Sequence, residues 1–284
     1  MVKGEPDDQF ERVLAAEVDE LDLRIRSACV TLAERARAAI LLNSRAYTFP
    51  RSIRRGNQWV DASKLIREFS HLRLKGDARL ACLCSTWLGE QQSKLLILHL
   101  PPSEPLPMFP PPALGEMVMP VFGKGPAVPS DLPSWVDLDV LASVQGDGSA
   151  LSLFERCLLL RWAAEPINSG HGVFWGRCAI LAGTAQSPRV AMPDRMSYIE
   201  PHADWGPRVF QRVSAGHPIL KPPQWWDRSA AVVLPEPIVS VVEFFSYTAY
   251  VRQTRYRHRD CFAGEKLVYC WQEEVARGGP GYLV

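Results

Sequence analysis

Hydrophobic positions in the first part of the chain follow the period of a long helix. Between Asp7 and Leu42, apolar side chains recur at steps of three and four residues, and neither glycine nor proline interrupts the run. Pro6, followed by two aspartates, is a typical helix start. Such a helix would be on the order of 50 Å long, which suits a lever, a bundle member or an arm that contacts another subunit. A break between Arg24 and Ser27 is the alternative.

The next elements that the pattern predicts are a short helix and a β-hairpin. A polar, aromatic and basic loop from Asn43 to Trp59 is followed by a helix from Asp61 to about His71. Two apolar segments, Leu80–Thr86 and Lys94–Leu100, then predict strands that a Gly-Glu-Gln-Gln turn joins.

A change in composition separates this region from the rest of the chain. Eleven prolines lie between Pro101 and Pro133. Their density excludes a long helix or a central strand and favours extended polyproline segments. We therefore predict three parts: a helical N-terminal region with a β-hairpin at 1–100, a proline-rich linker or arm at 101–133, and an α+β domain with an antiparallel sheet at 134–284.

The C-terminal region is predicted to begin with helices and to continue as strands. Ser134–Val144 and Ser152–Ala164 are the predicted helices, the second with a capping box formed by Ser152 and Glu155. From Gly172 onward, apolar segments between glycines and prolines indicate an antiparallel meander. Its predicted strands are Val173–Leu181, Arg208–Val213, Ala230–Leu234, Ile238–Tyr250 and Lys266–Trp271. The fold class is α+β: a long N-terminal helix and a small α/β region, a proline-rich connection, then helices followed by a mainly antiparallel β region.

Composition and charge narrow the class of protein. With 47% apolar and 22% charged residues, global disorder is excluded. The 32 Lys and Arg residues and 31 Asp and Glu residues leave a net charge of +1, so any charged surface must come from local segregation. No apolar run approaches the roughly 18 residues that span a bilayer, and the N-terminus lacks the apolar segment of a signal peptide. We expect a cytoplasmic protein without membrane contact, whose seven cysteines are free thiols.

Several short motifs could carry chemistry, but each lacks a required part. Cys82 and Cys84 share one face of a predicted strand, yet a structural zinc site needs a second close pair. The run from Glu200 to Asp204, with His202 at its centre, has no second histidine-rich segment to complete a metal shell. His171 and Cys178 offer a base and a nucleophile, but no third group that orients them. We therefore expect no catalytic residue, no metal site and no cofactor.

The strongest candidate site is the segment from Tyr247 to Phe262, in which arginines alternate with aromatic side chains. In an extended segment, Arg255, Arg257 and Arg259 share one face and are spaced by about 6.6 Å. This spacing is close to the phosphate repeat of an extended nucleic-acid strand, and the neighbouring aromatic side chains could stack on unpaired bases. The binding residues predicted here are Tyr250, Arg252, Arg255, Tyr256, Arg257, His258 and Arg259.

A second basic cluster lies in the loop after the N-terminal helix. Arg45, Arg51, Arg54 and Arg55 occur beside three aromatic residues, and no acidic residue lies between the first and the last of them. Two such clusters in a chain of net charge +1 are typical of a nucleic-acid-binding surface. The alternative is structural: the arginines pair with acidic residues of the N-terminal helix or lie along an exposed edge strand.

Together these features predict a nucleic-acid-binding subunit, with RNA favoured over single-stranded DNA, of a bacterial nucleoprotein complex. Other protein subunits are expected to contact the N-terminal helix or the proline-rich arm. The tail Gly278–Gly281, with sequence GGPG, is similar to the glycine-rich loops near the C-terminus of CRISPR RNA-binding subunits with ferredoxin-like folds. The resemblance covers four residues, lacks the longer glycine spacing of those loops and does not identify a family. It implies a CRISPR-effector-like version of the same function.

Other classes of protein stay open. The proline-rich arm and the abundant aromatic side chains suit a structural or assembly protein of a phage or a secretion machine. With His258 or His171 as a general base, the same architecture would be a metal-independent RNA endonuclease. A hydrolase that uses Cys178, or a metal at His202, is a further alternative, although a non-catalytic protein is expected.

Overall fold

The long N-terminal helix is present and unbroken. In the computed structural model, α1 runs from Asp8 to Ala46, and the break considered between Arg24 and Ser27 does not occur. Its buried side chains recur at steps of three and four residues along one face of the helix: Leu14, Val18, Leu21, Ile25, Cys29, Leu32 and Ala36. The apolar period along the sequence is therefore enough to predict this element.

The structure describes residues 8–46, 56–87, 90–101, 103–107, 132–164, 178–182, 197–198, 205–213, 219–220, 232–233, 238–248 and 252–280. After α1 these residues form β1 (Gly56–Asp61), α2 (Ser63–Ile66), β2 (Leu72–Leu74), β3 (Ala78–Trp87), β4 (Glu90–His99), β5 (Val136–Asp137), β6 (Val144–Gly146), α3 (Ala150–Ala164), β7 (Cys178–Ile180), β8 (Ser197–Tyr198), β9 (Arg208–Val213), β10 (Ile219–Leu220), β11 (Val232–Val233), β12 (Ile238–Thr248), β13 (Arg252–Ala263) and β14 (Lys266–Pro280). The described helices and antiparallel sheets confirm an α+β fold in which strands predominate. No helix in these ranges is long and apolar enough to cross a membrane.

The chain divides into two compact units that are each discontinuous in sequence. Unit 1 comprises Met1–Asp22, Gly146–Cys157 and Arg177–Val284, and unit 2 comprises Leu23–Gln145 and Leu158–Gly176. The division falls within α1 and within α3, so each of these helices contributes residues to both units. Most of the proline-rich segment, residues 108–131, lies outside the described residues.

Unit 2 contains a four-stranded antiparallel sheet in the order β1–β3–β4–β5. The predicted hairpin strands form its centre, and they extend closer to each other in sequence than predicted, since β3 runs to Trp87 and β4 begins at Glu90. One face holds an apolar cluster of Trp59, Ala81, Leu83, Leu96, Leu98, Leu100 and Val136. On the other face of β3, Leu80, Cys82 and Cys84 are also buried, so this strand is covered on both sides.

The helix predicted at Ser134–Val144 is wrong. The segment consists of turns with β5 and β6, because aspartate side chains capture backbone N–H groups that a helix would need. Asp137 Oδ1 accepts a hydrogen bond from the N–H of Asp139 at 2.8 Å. Asp139 Oδ1 accepts from the N–H groups of Leu141 and Ala142, both at 3.1 Å. The short helix predicted upstream is likewise reduced to one turn, α2.

The start of α3 also differs from the prediction. The helix begins at Ala150, so Ser152 lies inside it and cannot be the residue before its first turn. Ser149 takes that place, since its Oγ accepts a hydrogen bond from the N–H of Ser152 at 3.1 Å.

Unit 1 contains a six-stranded antiparallel sheet. Five strands follow the order β7–β12–β13–β14–β8, and β9 pairs with β12. The strands predicted at 208–213, 238–250 and 266–271 correspond to β9, β12 and β14, the last of which continues to Pro280. β13 is therefore an inner strand, paired with β12 on one side and β14 on the other.

The first half of α3 packs on this sheet. Phe154 of α3 meets Phe244 of β12 edge to face, with ring centroids 5.4 Å apart, and both side chains are fully buried. Glu265, in the turn between β13 and β14, accepts a hydrogen bond from the N–H of Gly146 at 3.1 Å and pairs with the Arg156 guanidinium at 2.5 Å. The turn is thus tied to the segment that carries the helix.

Replacing Phe154 with alanine should lower the free energy of unfolding by about 3–5 kcal/mol, because it removes a buried aromatic contact and leaves a cavity. Urea unfolding followed by tryptophan fluorescence measures the change. Lys266→Ala, at an exposed position of the same unit, is the control and should stay within about 0.5 kcal/mol of the parent. A loss for Phe154→Ala as small as that of the control would contradict this packing.

Candidate nucleic-acid-binding surface

The structure places the arginine-rich segment on β13, where alternate residues point to opposite faces of the sheet. Arg255, Arg257 and Arg259 therefore share one face, as the extended geometry requires. The strand is not at an edge of the sheet, since β12 and β14 flank it. The edge-strand alternative consequently does not apply. Each guanidinium lies on a face of the sheet with a neighbouring strand on both sides.

Arg255 is the most deeply buried of the three, with 2% of its surface exposed. Its guanidinium lies 4.6 Å from the ring centroid of Trp205, a cation–π contact in a largely desolvated site. Trp205 in turn meets Phe245 edge to face, with centroids 4.9 Å apart. In this position the Arg255 guanidinium stabilises an aromatic cluster and is not accessible to a phosphate.

Arg257 and Arg259 are paired with carboxylates on the neighbouring strands. Arg257 lies directly opposite Glu273 of β14, and its Nε donates to the Glu273 carboxylate. Arg259 lies directly opposite Glu243 of β12, and its Nε donates to Glu243 Oε2 at 2.5 Å. Opposite charges at facing positions stabilise strand pairing. The arginines thus pair within the chain, as the structural alternative expected, but with strand carboxylates.

The other face of β13 carries His258, which is 1% exposed. Its Nε2 lies 2.8 Å from Ser246 Oγ, and its ring stacks on Phe244 with centroids 4.6 Å apart. An imidazole enclosed in this way is inaccessible to a substrate, which argues against His258 as a general base. Tyr256 is half-buried on the same face, and burial together with the Glu274 carboxylate raises its pKa.

The remaining predicted residues are only partly covered by the structure. Arg45 lies near the end of α1 and Arg252 begins β13, but their side chains are outside the described part. Arg51, Arg54, Arg55 and Tyr250 lie wholly outside the described residues. The two predicted clusters fall in different units, Arg45–Arg55 in unit 2 and the β13 residues in unit 1.

The two units carry opposite net charges. Unit 2 has 16 Lys and Arg residues against 11 Asp and Glu residues, a net charge of +5. Unit 1 has 16 against 20, a net charge of −4, and the two values add to the +1 of the chain. The near-neutral net charge of the chain predicted that positive and negative residues are separated locally. The separation is between the two units.

A groove of about 260 Å³ lies in the positive unit, between α1 and the segment around α2. Its charged lining consists of three cations, Arg24, Arg35 and Lys64, and two carboxylates, Asp61 and Glu68. Arg35 is exposed, and one of its Nη atoms donates to the backbone carbonyl of Asp61 at 3.0 Å. Lys64 of α2 and Arg67, the residue after this helix, are also exposed, so three cations on α1 and around α2 are accessible to solvent.

Asp61 stays ionised at neutral pH. Burial raises its pKa, but hydrogen bonds from Ser63 and the charges of Arg79 and Arg35 outweigh burial and bring the pKa below its usual value. The N–H of Ser63 donates to Asp61 Oδ1 at 2.8 Å. The groove nevertheless keeps an excess of positive charge, since its three cations outnumber its two carboxylates.

Sequence reasoning missed Arg35, Lys64 and Arg67 because none of them belongs to a basic run. A usable signal was the charge along α1. Residues 8–22 contain six acidic residues and one arginine, whereas residues 23–46 contain five arginines and one glutamate. Acidic residues near the start of a helix and basic residues near its end interact favourably with the helix dipole. The basic half of α1 belongs to unit 2.

Burial makes Cys82 and Cys29 poor ligands and nucleophiles. Cys82 Sγ and Cys84 Sγ lie 3.6 Å apart, but burial, reinforced by the hydrogen bond to Cys84, raises the pKa of Cys82 well above its usual value. Burial likewise raises the pKa of Cys29 to about 12. No group of three or more His, Cys, Asp or Glu within the described ranges could hold a metal ion. His171 and residues 200–204 lie outside those ranges.

Removing one partner of the Arg257–Glu273 pair should destabilise the protein more than removing both. We expect Arg257→Met to cost about 2–3 kcal/mol, because it leaves the half-buried Glu273 carboxylate without its cation. The double variant Arg257→Met/Glu273→Met should recover more than about 1 kcal/mol of that loss. Urea unfolding of the parent, both single variants and the double variant measures this. Strictly additive losses would show that the pair does not contribute.

Thiol labelling should separate Cys270 from the other six cysteines. Cys270 is exposed, whereas the others are buried, and only a thiolate that solvent reaches reacts quickly. The native protein should therefore release one equivalent of product with a disulfide reagent at mildly alkaline pH, and all seven after unfolding. The Cys270→Ser variant should lose the native-state reaction. Rapid labelling of Cys178 in the native protein would instead support the hypothesis that Cys178 is a nucleophile.

No protein-family model, curated protein or solved structure matches the chain.

Proposed function

We propose that the chain is a nucleic-acid-binding subunit, with RNA favoured, of a bacterial nucleoprotein complex, and that its phosphate contacts lie on unit 2. The observation that carries this proposal is the segregation of charge, +5 on unit 2 against −4 on unit 1. Positive charge concentrated on one part of a near-neutral protein is the electrostatic footprint of nucleic-acid binding.

The exposed cations on α1 and around α2 support this location. Arg35, Lys64 and Arg67 are accessible to solvent, in contrast to Arg255 and Arg257 of β13, which are buried. The groove beside them offers a concave surface with an excess of cations. The segment with Arg51, Arg54 and Arg55 follows α1 in the sequence and adds further guanidinium groups to the same unit. Arginine suits phosphate recognition because its planar fork can donate two parallel hydrogen bonds.

The proposal retains the class of partner predicted from the sequence and changes the residues that carry it. The β13 arginines take a structural role, and the surface of unit 2 takes the phosphate contacts. The proline-rich run is proposed as an arm that contacts other subunits, and the complex as cytoplasmic.

A structural or assembly protein is the second candidate. The pairing of Arg257 and Arg259 with carboxylates of the same sheet favours it, because charges satisfied in this way need no external anion. Under this alternative the excess charge of unit 2 would contact an acidic protein surface.

The combined variant Arg35→Gln/Lys64→Gln/Arg67→Gln should weaken nucleic-acid binding and flatten its salt dependence. Each phosphate contact on a single strand contributes about 0.7 to the log–log slope, so the loss of three contacts should reduce the slope by about 2. Labelled single-stranded RNA, single-stranded DNA and duplex are titrated over roughly 50 to 200 mM salt. RNA should bind most tightly.

The matched control is Lys266→Gln/Arg277→Gln, which removes exposed cations from unit 1 and should leave the slope unchanged. Salt-insensitive or undetectable binding by the parent protein would overturn the proposal and favour the assembly protein. An unchanged slope in the unit 2 variant, with normal unfolding, would exclude these three residues as the phosphate contacts.

A further inference from the structure

The outer face of α1 carries the large apolar side chains that solvent reaches in the described part of the chain. Val13, Leu23 and Val30 are 53%, 48% and 59% exposed, and they are the exposed large hydrophobic residues among those described. They lie on the side of the helix opposite the buried stripe that contains Leu14 and Ile25. Single exposed apolar residues are ordinary, but three along one face of one helix indicate a surface that binds something.

These residues belong to a regular repeat. Positions 13, 16, 20, 23, 27, 30 and 34 follow alternating steps of three and four residues, and all seven are exposed. We call this row the outer seam. Its apolar members are Val13, Ala16, Leu23 and Val30, and its polar members are Glu20, Ser27 and Glu34. A repeat with this spacing is the one through which two helices pack side by side as a coiled coil.

We propose that the outer seam binds the outer seam of a second copy of this chain, with the two α1 helices antiparallel. The partly exposed charges beside the seam support this occupant. Asp19 flanks the first half of the seam, and Arg26 flanks the second half. In the antiparallel arrangement Asp19 lies beside Arg26 of the second copy. Twofold symmetry repeats the pair.

The same arrangement matches the seam residues themselves. With the twofold axis between Leu21 and Asp22, the seam positions from 13 to 30 face the complementary positions of the heptad on the other helix. Val13 then lies opposite Val30 of the second copy, and Leu23 packs beside the aliphatic part of Glu20 of the second copy. The apolar residues at the two ends of the seam therefore cover each other.

A parallel pair is disfavoured by the acidic members of the seam. Parallel helices in register would bring Glu20 against Glu20 in the middle of the seam and Glu34 against Glu34 at its end, whereas in the antiparallel pair each Glu20 faces Leu23. Like charges in such positions are repulsive and costly to desolvate. The sequence therefore selects one orientation as well as one type of partner. Because only four of the seven seam residues are apolar, we expect a reversible dimer that forms at micromolar or higher concentrations.

Sedimentation velocity of the full chain without nucleic acid tests the proposal. Over roughly 5 to 200 µM the weight-average mass should rise from the 31.8 kDa of the monomer toward about 64 kDa. Leu23→Glu should keep the protein monomeric over this range, because it adds a carboxylate next to Glu20 of the second copy. Ala142→Glu adds the same charge at an exposed position away from α1 and should leave the association unchanged.

A charge exchange tests the orientation. Asp19→Arg and Arg26→Glu should each weaken the dimer at least tenfold, and the combined variant Asp19→Arg/Arg26→Glu should restore it. Restoration is expected only when positions 19 and 26 face each other across an antiparallel pair. A parent protein that stays monomeric at the highest concentration would overturn the proposal. So would a dimer that survives Leu23→Glu, or a folded combined variant that stays monomeric.

The dimer does not rest on nucleic-acid binding. Its readout is mass in the absence of ligand, and Arg35→Gln/Lys64→Gln/Arg67→Gln lies off the seam and should associate like the parent protein. Failure of either proposal therefore leaves the other one standing.

Discussion

An arginine on the inner strand of a sheet has to find its partner within that sheet, and this requirement governs the architecture of unit 1. Burial of an uncompensated charge is costly, and β13 has a neighbouring strand on each side. Arg257 forms an ion pair with Glu273 on one side, and Arg259 forms an ion pair with Glu243 on the other. A shift of either neighbour by one residue would move its own glutamate to the opposite face. The ion pairs therefore fix the register of three strands at once.

The parts of the fold that could be predicted from sequence are those that local periodicity determines. The apolar repeat of α1 and the buried strands β3 and β4 belong to this class. The turns at 136–144 escaped prediction because Asp137 and Asp139 compete with the helix for backbone hydrogen bonds. The fate of the β13 arginines depends on partners sixteen residues away in either direction. These partners could have been identified only from the residue-by-residue pairing of β13 with β12 and with β14. The alternation of residues within one strand does not give that pairing.

The near-neutral charge of the whole chain conceals two differently charged bodies. Unit 2 gathers its excess of cations from positions that are scattered in sequence, such as Arg35 and Lys64, so a search for basic runs does not find them. Arg257 and Arg259 of the conspicuous run pair within their sheet, whereas Arg35 and Lys64 face solvent. Segregation by unit rather than by segment also explains how the chain can combine a cationic surface with an acidic stretch at the start of α1.

The discontinuity of unit 1 has a consequence during synthesis on the ribosome. Glu265 lies 109 residues beyond its ion-pair partner Arg156, and the sheet beside α3 lacks its central strands until β13 and β14 have emerged. Contacts this distant in sequence slow the search for the native arrangement. The first half of α1 and the start of α3 are made before these strands and must therefore wait for them to complete unit 1. During that interval the apolar faces of these helices are exposed, and chaperones bind exposed apolar surface of this kind.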